Sequence, residues 1–161
     1  MRLDLGLGLA VGLPTGIAIG VGFAWATRLA VRRTTFARRI HVEFRMLFGP
    51  LSERDVLAFS ALSAVSEEVV FRGALQPAIG LLLSALAFGA IHVGPSLRVF
   101  WPWTVSALGM GLLFGLLFQG LGDLSAPIAA HFTVNFLNLS FINDFDPMPT
   151  IAAGMRRRAT G

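Results

Sequence analysis

The stretch SEEVVFRG, residues 66–73, places two carboxylates and a guanidinium inside an otherwise apolar part of the chain. VLAFSALSAV precedes it and ALQPAIGLLLSALAFGAIH follows it. An ionisable side chain at the middle of a membrane-spanning helix opposes insertion by about 2.5–3.5 kcal/mol, so such groups face one another or a water-filled cavity. The stretch therefore predicts an enclosed polar site within a membrane.

Composition supports a membrane environment for the whole chain. Of 161 residues, 55% are hydrophobic and 14% are charged, and the mean hydropathy is +0.72. Soluble domains are about 45–50% apolar. The apolar residues fall into about five segments, most of them near the ~20 residues that a helix needs to cross the hydrocarbon layer. We predict a single all-α domain over residues 1–161, a polytopic transmembrane helical bundle around a polar cavity, with spans near 5–27, 56–76, 77–93, 99–119 and 125–142.

Charge and cysteine content exclude several functions. There is no cysteine, so disulfides, thiolate nucleophiles and cysteine-ligated zinc are ruled out. All thirteen basic residues are arginines, and they lie beside apolar segments, as orientation signals do, which argues against nucleic-acid binding. Residues 28–54 form a basic segment that we expect at the cytoplasmic interface beside anionic lipid, although a plain connecting loop has the same composition.

Orientation follows from the same arginines. If the spans alternate, residues 28–54, Arg98 and the Arg156–Arg158 tail share one side, whereas the other side receives Arg2. By the positive-inside rule the shared side is the cytoplasm. We therefore expect an integral protein of a bacterial plasma membrane, with its amino terminus outside, its carboxyl terminus inside, and its first segment retained rather than cleaved as a signal peptide.

Glycines recur every fourth residue in the first span, at Gly8, Gly12, Gly16 and Gly20, and again at Gly111 and Gly115. This spacing puts them on one helix face, where another helix can approach closely. The partner helix could belong to a second copy of the chain, which predicts a possible homo-oligomer. A glycine-rich helix without a special partner fits the pattern as well.

Within the opening stretch, Glu68 and Arg72 are four residues apart and can pair in the favourable acid-before-base order. Glu67 lies about 100° around the helix and has no local partner. Glu67 is therefore the candidate reagent, and Glu68 and Arg72 are its supporting residues. Alternatively, all three form a structural polar clasp.

Two further polar positions lie at or within later spans. His92 follows Phe88 by four residues, so the phenyl ring can shield the imidazole from lipid, although a lone histidine at a span end is often only interfacial. His131 and Asn135 also lie four apart, so both side chains project toward the same neighbour. Asn135 could orient the imidazole, bind a metal or donate to an oxyanion, and the pair could equally join two helices. The third histidine, His41, is assigned no chemistry.

The combination is more specific than its parts. A carboxylate and two imidazoles from three spans, Glu67, His92 and His131, match the sets that hold catalytic zinc with an open water position. The same groups fit a metal-free scheme in which Glu67 activates water while the histidines and Asn135 stabilise the oxyanion. The sequence leaves both schemes open.

The three patterns EExxxR, FxxxH and HxxxN occur in this order over residues 56–143, beginning at Glu67, Phe88 and His131. This arrangement resembles the CAAX protease and bacteriocin-processing family (CPBP, or Abi) of intramembrane endopeptidases. The resemblance implies a helical bundle around a membrane cavity where water attacks a peptide bond of a peptide or membrane-protein substrate. It makes Glu67 the general base, His92 and His131 the metal-binding or oxyanion-stabilising histidines, and Asn135 the oxyanion or ligand residue.

The leading hypothesis is thus a glutamate-dependent intramembrane endopeptidase, with zinc as the candidate cofactor. The chief alternative is a non-catalytic membrane scaffold or immunity protein that keeps the fold and binds a partner in the cavity. A small transporter is a third possibility, because intramembrane acids and histidines also form proton relays. The chain is shorter than many family members, so helices that wall the cavity elsewhere are expected to be missing or supplied by a second copy.

Overall fold

A computed structural model of the chain describes residues 8–148, which fold into six helices with no strand among them. We number them α1 (Leu13–Arg33), α2 (Thr35–Phe48), α3 (Glu53–Glu68), α4 (Leu81–Ile91), α5 (Leu97–Leu121) and α6 (Ser125–Asp144). A π-helical segment, Gly8–Gly12, precedes α1, and a second one, Val69–Leu75, continues α3 into the further turn Gln76–Ile79. The predicted all-α bundle is confirmed.

Local sequence fixes the ends of the helices. Ser52 and Asp55 form a capping box that starts α3, because each side chain accepts a hydrogen bond from the other residue's backbone N–H. Gly80 and Gly122 have φ of 86° and 76°, which favours glycine, and they end the α3 continuation and α5. Thr34 is extended, so α1 and α2 meet at a sharp corner.

Helix α6 lies at the centre and packs against α1, α3 and α5. Its contact with α1 is close because of the glycines of α1. A Cβ on Gly16 would collide with the Ala126 carbonyl oxygen, and one on Gly20 would lie 2.6 Å from Thr133 Cβ. Gly111 on α5 faces Ala85 of α4 in the same way. These glycine faces are therefore filled by helices of the same chain, and the expected oligomer contact through them is not supported.

The third predicted span, 77–93, differs from the structure. Helix α4 has 11 residues, about 16 Å at 1.5 Å per residue, which is too short to cross the hydrocarbon layer alone. Residues 92–96 connect α4 to α5 without helical structure and lie beside the start of α5. Thr104 donates to the His92 carbonyl at 2.9 Å, and Gly94 lies against Phe100. Irregular backbone at this depth is tolerated where it is buried in protein or lines a cavity.

By length and apolar content, the clearest spanning candidates in residues 8–148 are Leu9–Arg33 and Leu97–Leu121. Helix α2 contacts the end of α6 and the start of α5 at one side of the bundle. His41 donates to the Phe145 carbonyl after α6, and Phe44 packs against Phe100 and Trp103 at the start of α5. Arg2 and the Arg156–Arg158 tail, on which the expected orientation partly rests, lie outside the described residues.

Candidate active site

A buried ion pair forms the base of the site. Arg72 Nη1 donates to Glu68 Oε1 at 2.9 Å, and the two side chains are 1% and 0% exposed. Arg72 Nη2 also donates to the Gly111 carbonyl at 2.9 Å, and the guanidinium lies over the rings of Phe88 and Phe114. A charge pair buried this deeply is tolerated because additional hydrogen bonds and the partner's charge offset desolvation. The expected pairing of Glu68 and Arg72 is present.

Glu68 also fixes the orientation of His131. Its Oε1 lies 2.8 Å from His131 Nδ1, across 63 residues of sequence. Because the ion-paired carboxylate can only accept, Nδ1 carries a proton, and in the neutral ring Nε2 then keeps its lone pair. The ring stacks on Phe114, with centroids 5.4 Å apart. His131 therefore presents an accepting nitrogen in a fixed direction.

His92 is held in a similar way just after α4. Its Nδ1 donates to the Phe88 carbonyl at 2.7 Å, so in the neutral ring Nε2 again keeps the lone pair. The ring stacks on Phe88 with centroids 4.4 Å apart, as the FxxxH spacing predicts, and Trp103 packs edge-on at 5.3 Å. Two imidazoles from different helices thus have the same protonation and point their Nε2 atoms inward.

Both nitrogens point at Glu67. Glu67 Oε2 lies 3.6 Å from His92 Nε2 and 4.0 Å from His131 Nε2. This oxygen is buried and has no hydrogen-bond partner within residues 8–148. Three lone-pair groups therefore face one point, and only a proton, a water or a cation placed among them can satisfy all three.

Asn135 lies one turn beyond His131 on α6. Its Nδ2 donates to Ser63 Oγ of α3 at 2.8 Å. The amide does not orient the imidazole, one of the roles considered from the HxxxN spacing, because Glu68 holds Nδ1 instead. No local pattern in the sequence specifies this contact, because it joins residues 72 positions apart.

A cavity of about 610 Å³ adjoins this cluster. Ser63, His92, His131 and Asn135 supply polar groups on its wall. Its other lining is mainly apolar and comes from all six helices, including the side chains of Phe23, Phe36, Ile40, Phe44, Phe59, Trp103, Met110, Phe114 and Val134. Asn138 adds a further polar side chain, and its buried Oδ1 has no hydrogen-bond partner within residues 8–148. The arrangement can hold an apolar chain with a polar segment beside the cluster.

The types and separations of the donor atoms decide whether a metal fits this site. Two imidazole nitrogens with lone pairs and a carboxylate oxygen are ligands that zinc prefers, and Glu68 and the Phe88 carbonyl hold the outer nitrogens as supporting groups do in zinc sites. Two ligands about 2.0 Å from one tetrahedral centre lie ~3.3 Å apart. The separations here, 3.6 and 4.0 Å, are wider, and among residues 8–148 no such group is already closed to metal-binding distances. The residue types and orientations fit zinc, and a small inward movement of the side chains would be required.

Comparison with known proteins agrees with the motif order. Residues 52–137, more than half of the chain, match the family described as Type II CAAX prenyl endopeptidase Rce1-like. The chain belongs to this family. The resemblance derived from the three motifs is thereby confirmed.

One curated relative is the uncharacterized protein YpbD of Bacillus subtilis (strain 168). It is 31% identical over 91 residues, which cover 56% of this chain and 47% of that protein. The chain therefore spans about half the length of this relative. No solved structure gives a significant match.

Proposed function

We propose that the chain is an intramembrane endopeptidase in which Glu67 is the general base. The observation that carries the proposal is the unpartnered Glu67 Oε2 facing the Nε2 atoms of His92 and His131 at 3.6 and 4.0 Å. A water at this point would donate one hydrogen to Glu67 and attack the carbonyl of a substrate that occupies the adjoining cavity. Membership of a protease family supports the reaction type.

One carboxylate can carry out both proton transfers of the reaction. Glu67 accepts a proton as the water oxygen bonds to the substrate carbonyl carbon, and the carbonyl oxygen becomes an oxyanion. Collapse of this intermediate breaks the C–N bond while Glu67 returns the proton to the leaving amine. Asn135 would move its Nδ2 from Ser63 to the oxyanion, one turn from His131 on the same cavity wall.

We further propose that His92, His131 and one carboxylate oxygen of Glu67 would hold zinc, which leaves the other Glu67 oxygen to accept the water proton. Bound zinc would lower the pKa of water toward about 7 and polarise the carbonyl. The orientation of the histidines favours this assignment over the metal-free scheme. Because both Nδ1 atoms donate their protons elsewhere, both neutral Nε2 atoms are acceptors, which suits a cation and does not suit donation to an oxyanion.

The substrate proposed is a peptide or membrane protein segment that carries a long apolar group near the scissile bond. The apolar lining of the 610 Å³ cavity supports such a group, and a prenyl chain, named in the family description, has this chemistry. The cavity lies beneath α2, at the side of the bundle that the arginines assign to the cytoplasm. We propose that substrates enter from there, with the amino terminus of the chain outside and the carboxyl terminus inside.

Replacing Glu67 with glutamine tests the proposal. The purified protein is reconstituted in lipid and incubated with a farnesylated CAAX peptide and with the same peptide lacking the lipid. Loss of the general base should reduce cleavage about 100-fold or more. Glu53→Gln, an exposed acid at the start of α3, is the matched control and should cleave at the wild-type rate.

The other candidate functions give different results in this assay. A non-catalytic scaffold or immunity protein would show no cleavage in either form and would keep its phenotype with Glu67→Gln. A transporter would move protons through the reconstituted protein without cleaving any peptide. Either result would overturn the proposal.

A further inference from the structure

Helix α2 covers the side of the cavity nearest the bundle surface. Its side chains Phe36, Ala37, Ile40, His41, Phe44 and Phe48 line that cavity. It is a separate helix, because the extended Thr34 interrupts the helical structure before it and Gly49, with φ of 64°, ends the helix after it. Anything that holds α2 from outside therefore fixes the cover of the proposed active site.

Two of the arginines around α2 are already used within the protein. Arg38 donates to the carbonyls of Val31 and Arg32 at the end of α1, and Arg45 donates to Ile142 and Asn143 at the end of α6. These four hydrogen bonds satisfy carbonyls that a helix end leaves unpaired. These two guanidinium groups are therefore explained by the fold.

Three other arginines at this corner have no such role within the fold. Arg32, Arg33 and Arg39 are exposed, and within residues 8–148 their guanidinium groups have no hydrogen-bond or ion-pair partner. Glu43 is the one acid in α2. The outer surface at this corner therefore carries an excess of positive charge that nothing in the described chain neutralises.

Large apolar side chains lie on the same surface. Met46 is 66% exposed and Leu47 57%. On a surface that faces water, exposed apolar side chains of this size are unfavourable, whereas arginines interleaved with them are typical of helices that lie in the membrane interface. The pattern fits a partner that offers negative charge above an apolar layer.

The neighbouring helix α1 also has an exposed apolar face. The exposed apolar side chains of α1 include Ile17, Val21 and Trp25, and Trp25 is 66% exposed in the last turns before the corner. Tryptophan concentrates where the hydrocarbon layer meets the headgroups. The lipid-facing surface of α1 therefore ends at the level where α2 begins.

We propose that the outer face of α2 and the adjoining end of α1, with Arg32, Arg33 and Arg39 beside Met46 and Leu47, bind the headgroups of anionic phospholipid. The apolar side chains enter the interface while the guanidinium groups pair with phosphates. This contact holds α2 in its place over the cavity. The proposal concerns lipid binding alone and does not require Glu67 chemistry.

The absence of cysteine makes a labelling experiment direct. A spin label is attached to the cysteine of Leu47→Cys. The depth and mobility of the label are measured in nanodiscs of phosphatidylglycerol and of phosphatidylcholine. Leu86→Cys on α4, 46% exposed, is the control position and should give the same depth in both lipids. We expect the Leu47→Cys label to lie deeper and to be less mobile in the anionic lipid, and high salt should remove the difference.

A charge-neutral variant completes the test. Changing Arg32, Arg33 and Arg39 to glutamine should weaken the preference of α2 for the anionic surface by on the order of 100-fold, at about fivefold per arginine. Unchanged helix content and thermal midpoint would show that the variant folds. Equal label depth in both lipids, no effect of the three substitutions, or the same immobilisation by inorganic phosphate or polyglutamate in phosphatidylcholine would overturn the proposal.

Discussion

Glu68 Oε1 and His131 Nδ1 lie 2.8 Å apart, although 63 residues separate them in the chain. The same oxygen accepts from Arg72 Nη1 at 2.9 Å. One buried carboxylate therefore joins α3 to α6 and also sets the proton position of the imidazole that faces Glu67. Stability and the orientation of the proposed reactive groups depend on the same contact.

Glu68→Gln should lower the free energy of unfolding by about 3–5 kcal/mol, because Arg72 would remain buried without a countercharge. Thermal unfolding in detergent, followed by circular dichroism, measures the change. Adding Arg72→Met to Glu68→Gln should recover part of the loss, since the unpaired charge is removed. A single variant as stable as wild type would show that the pair is not buried as described.

Zinc content should depend on the two histidines and on Glu67. We expect the purified protein to bind about one zinc per chain, and we expect His92→Ala or His131→Ala to abolish this binding, because each removes one of three protein ligands. Metal analysis by mass spectrometry after dialysis gives the number. His41→Gln, which alters the histidine outside the cluster, should leave zinc content unchanged. Full peptide cleavage by a protein stripped of metal would contradict the assignment.

Close packing of α1 on α6 predicts opposite effects for two neighbouring glycines. Gly16→Leu should destabilise the fold by about 1–3 kcal/mol or more, because its Cβ would meet the Ala126 carbonyl oxygen and the Ala129 side chain. Gly22→Ala should be neutral or stabilising by up to about 1 kcal/mol, because nothing lies within 4 Å of its Cβ and alanine favours the helix. Thermal unfolding of the two variants distinguishes them, and equal destabilisation would contradict the α1–α6 contact.

Stability should also depend on pH through His41. Burial lowers the pKa of this imidazole below its usual value of 6.5, and Arg45 lowers it further, while the Phe145 carbonyl and Asp146 raise it. Between the lowered pKa and 6.5 the folded state binds fewer protons than the unfolded state, so the contribution to stability is complete above 6.5 and declines as pH falls through this range. Unfolding midpoints measured from pH 7.5 downward should show this decline.

His41→Gln should remove the pH dependence contributed by this residue. The glutamine amide can still donate to the Phe145 carbonyl but does not titrate in this range. If the variant and the wild type lose stability in parallel as pH falls, His41 is not the group responsible.

The sequence by itself determined the kind of protein, and it predicted the residues of the candidate site. The apolar segments predicted a helical membrane bundle, and the cost of burying Glu67, Glu68 and Arg72 in lipid predicted a shared polar interior. The order of the three motifs identified the family. The pairing of Glu68 with Arg72 and the packing of Phe88 on His92 could be predicted because both contacts lie within one helical turn, where spacing fixes geometry.

Only the tertiary structure decided how the helices meet. In the structure, the glycines of α1 pack against α6 rather than against a second chain. The third predicted span is the short helix α4. His131 is oriented by Glu68 rather than by Asn135. The tertiary structure also placed His41 in the cavity wall, although no role was predicted for that residue from the sequence. These contacts join residues far apart in the chain, and no local spacing specifies them, because helix packing depends on the shapes of whole faces.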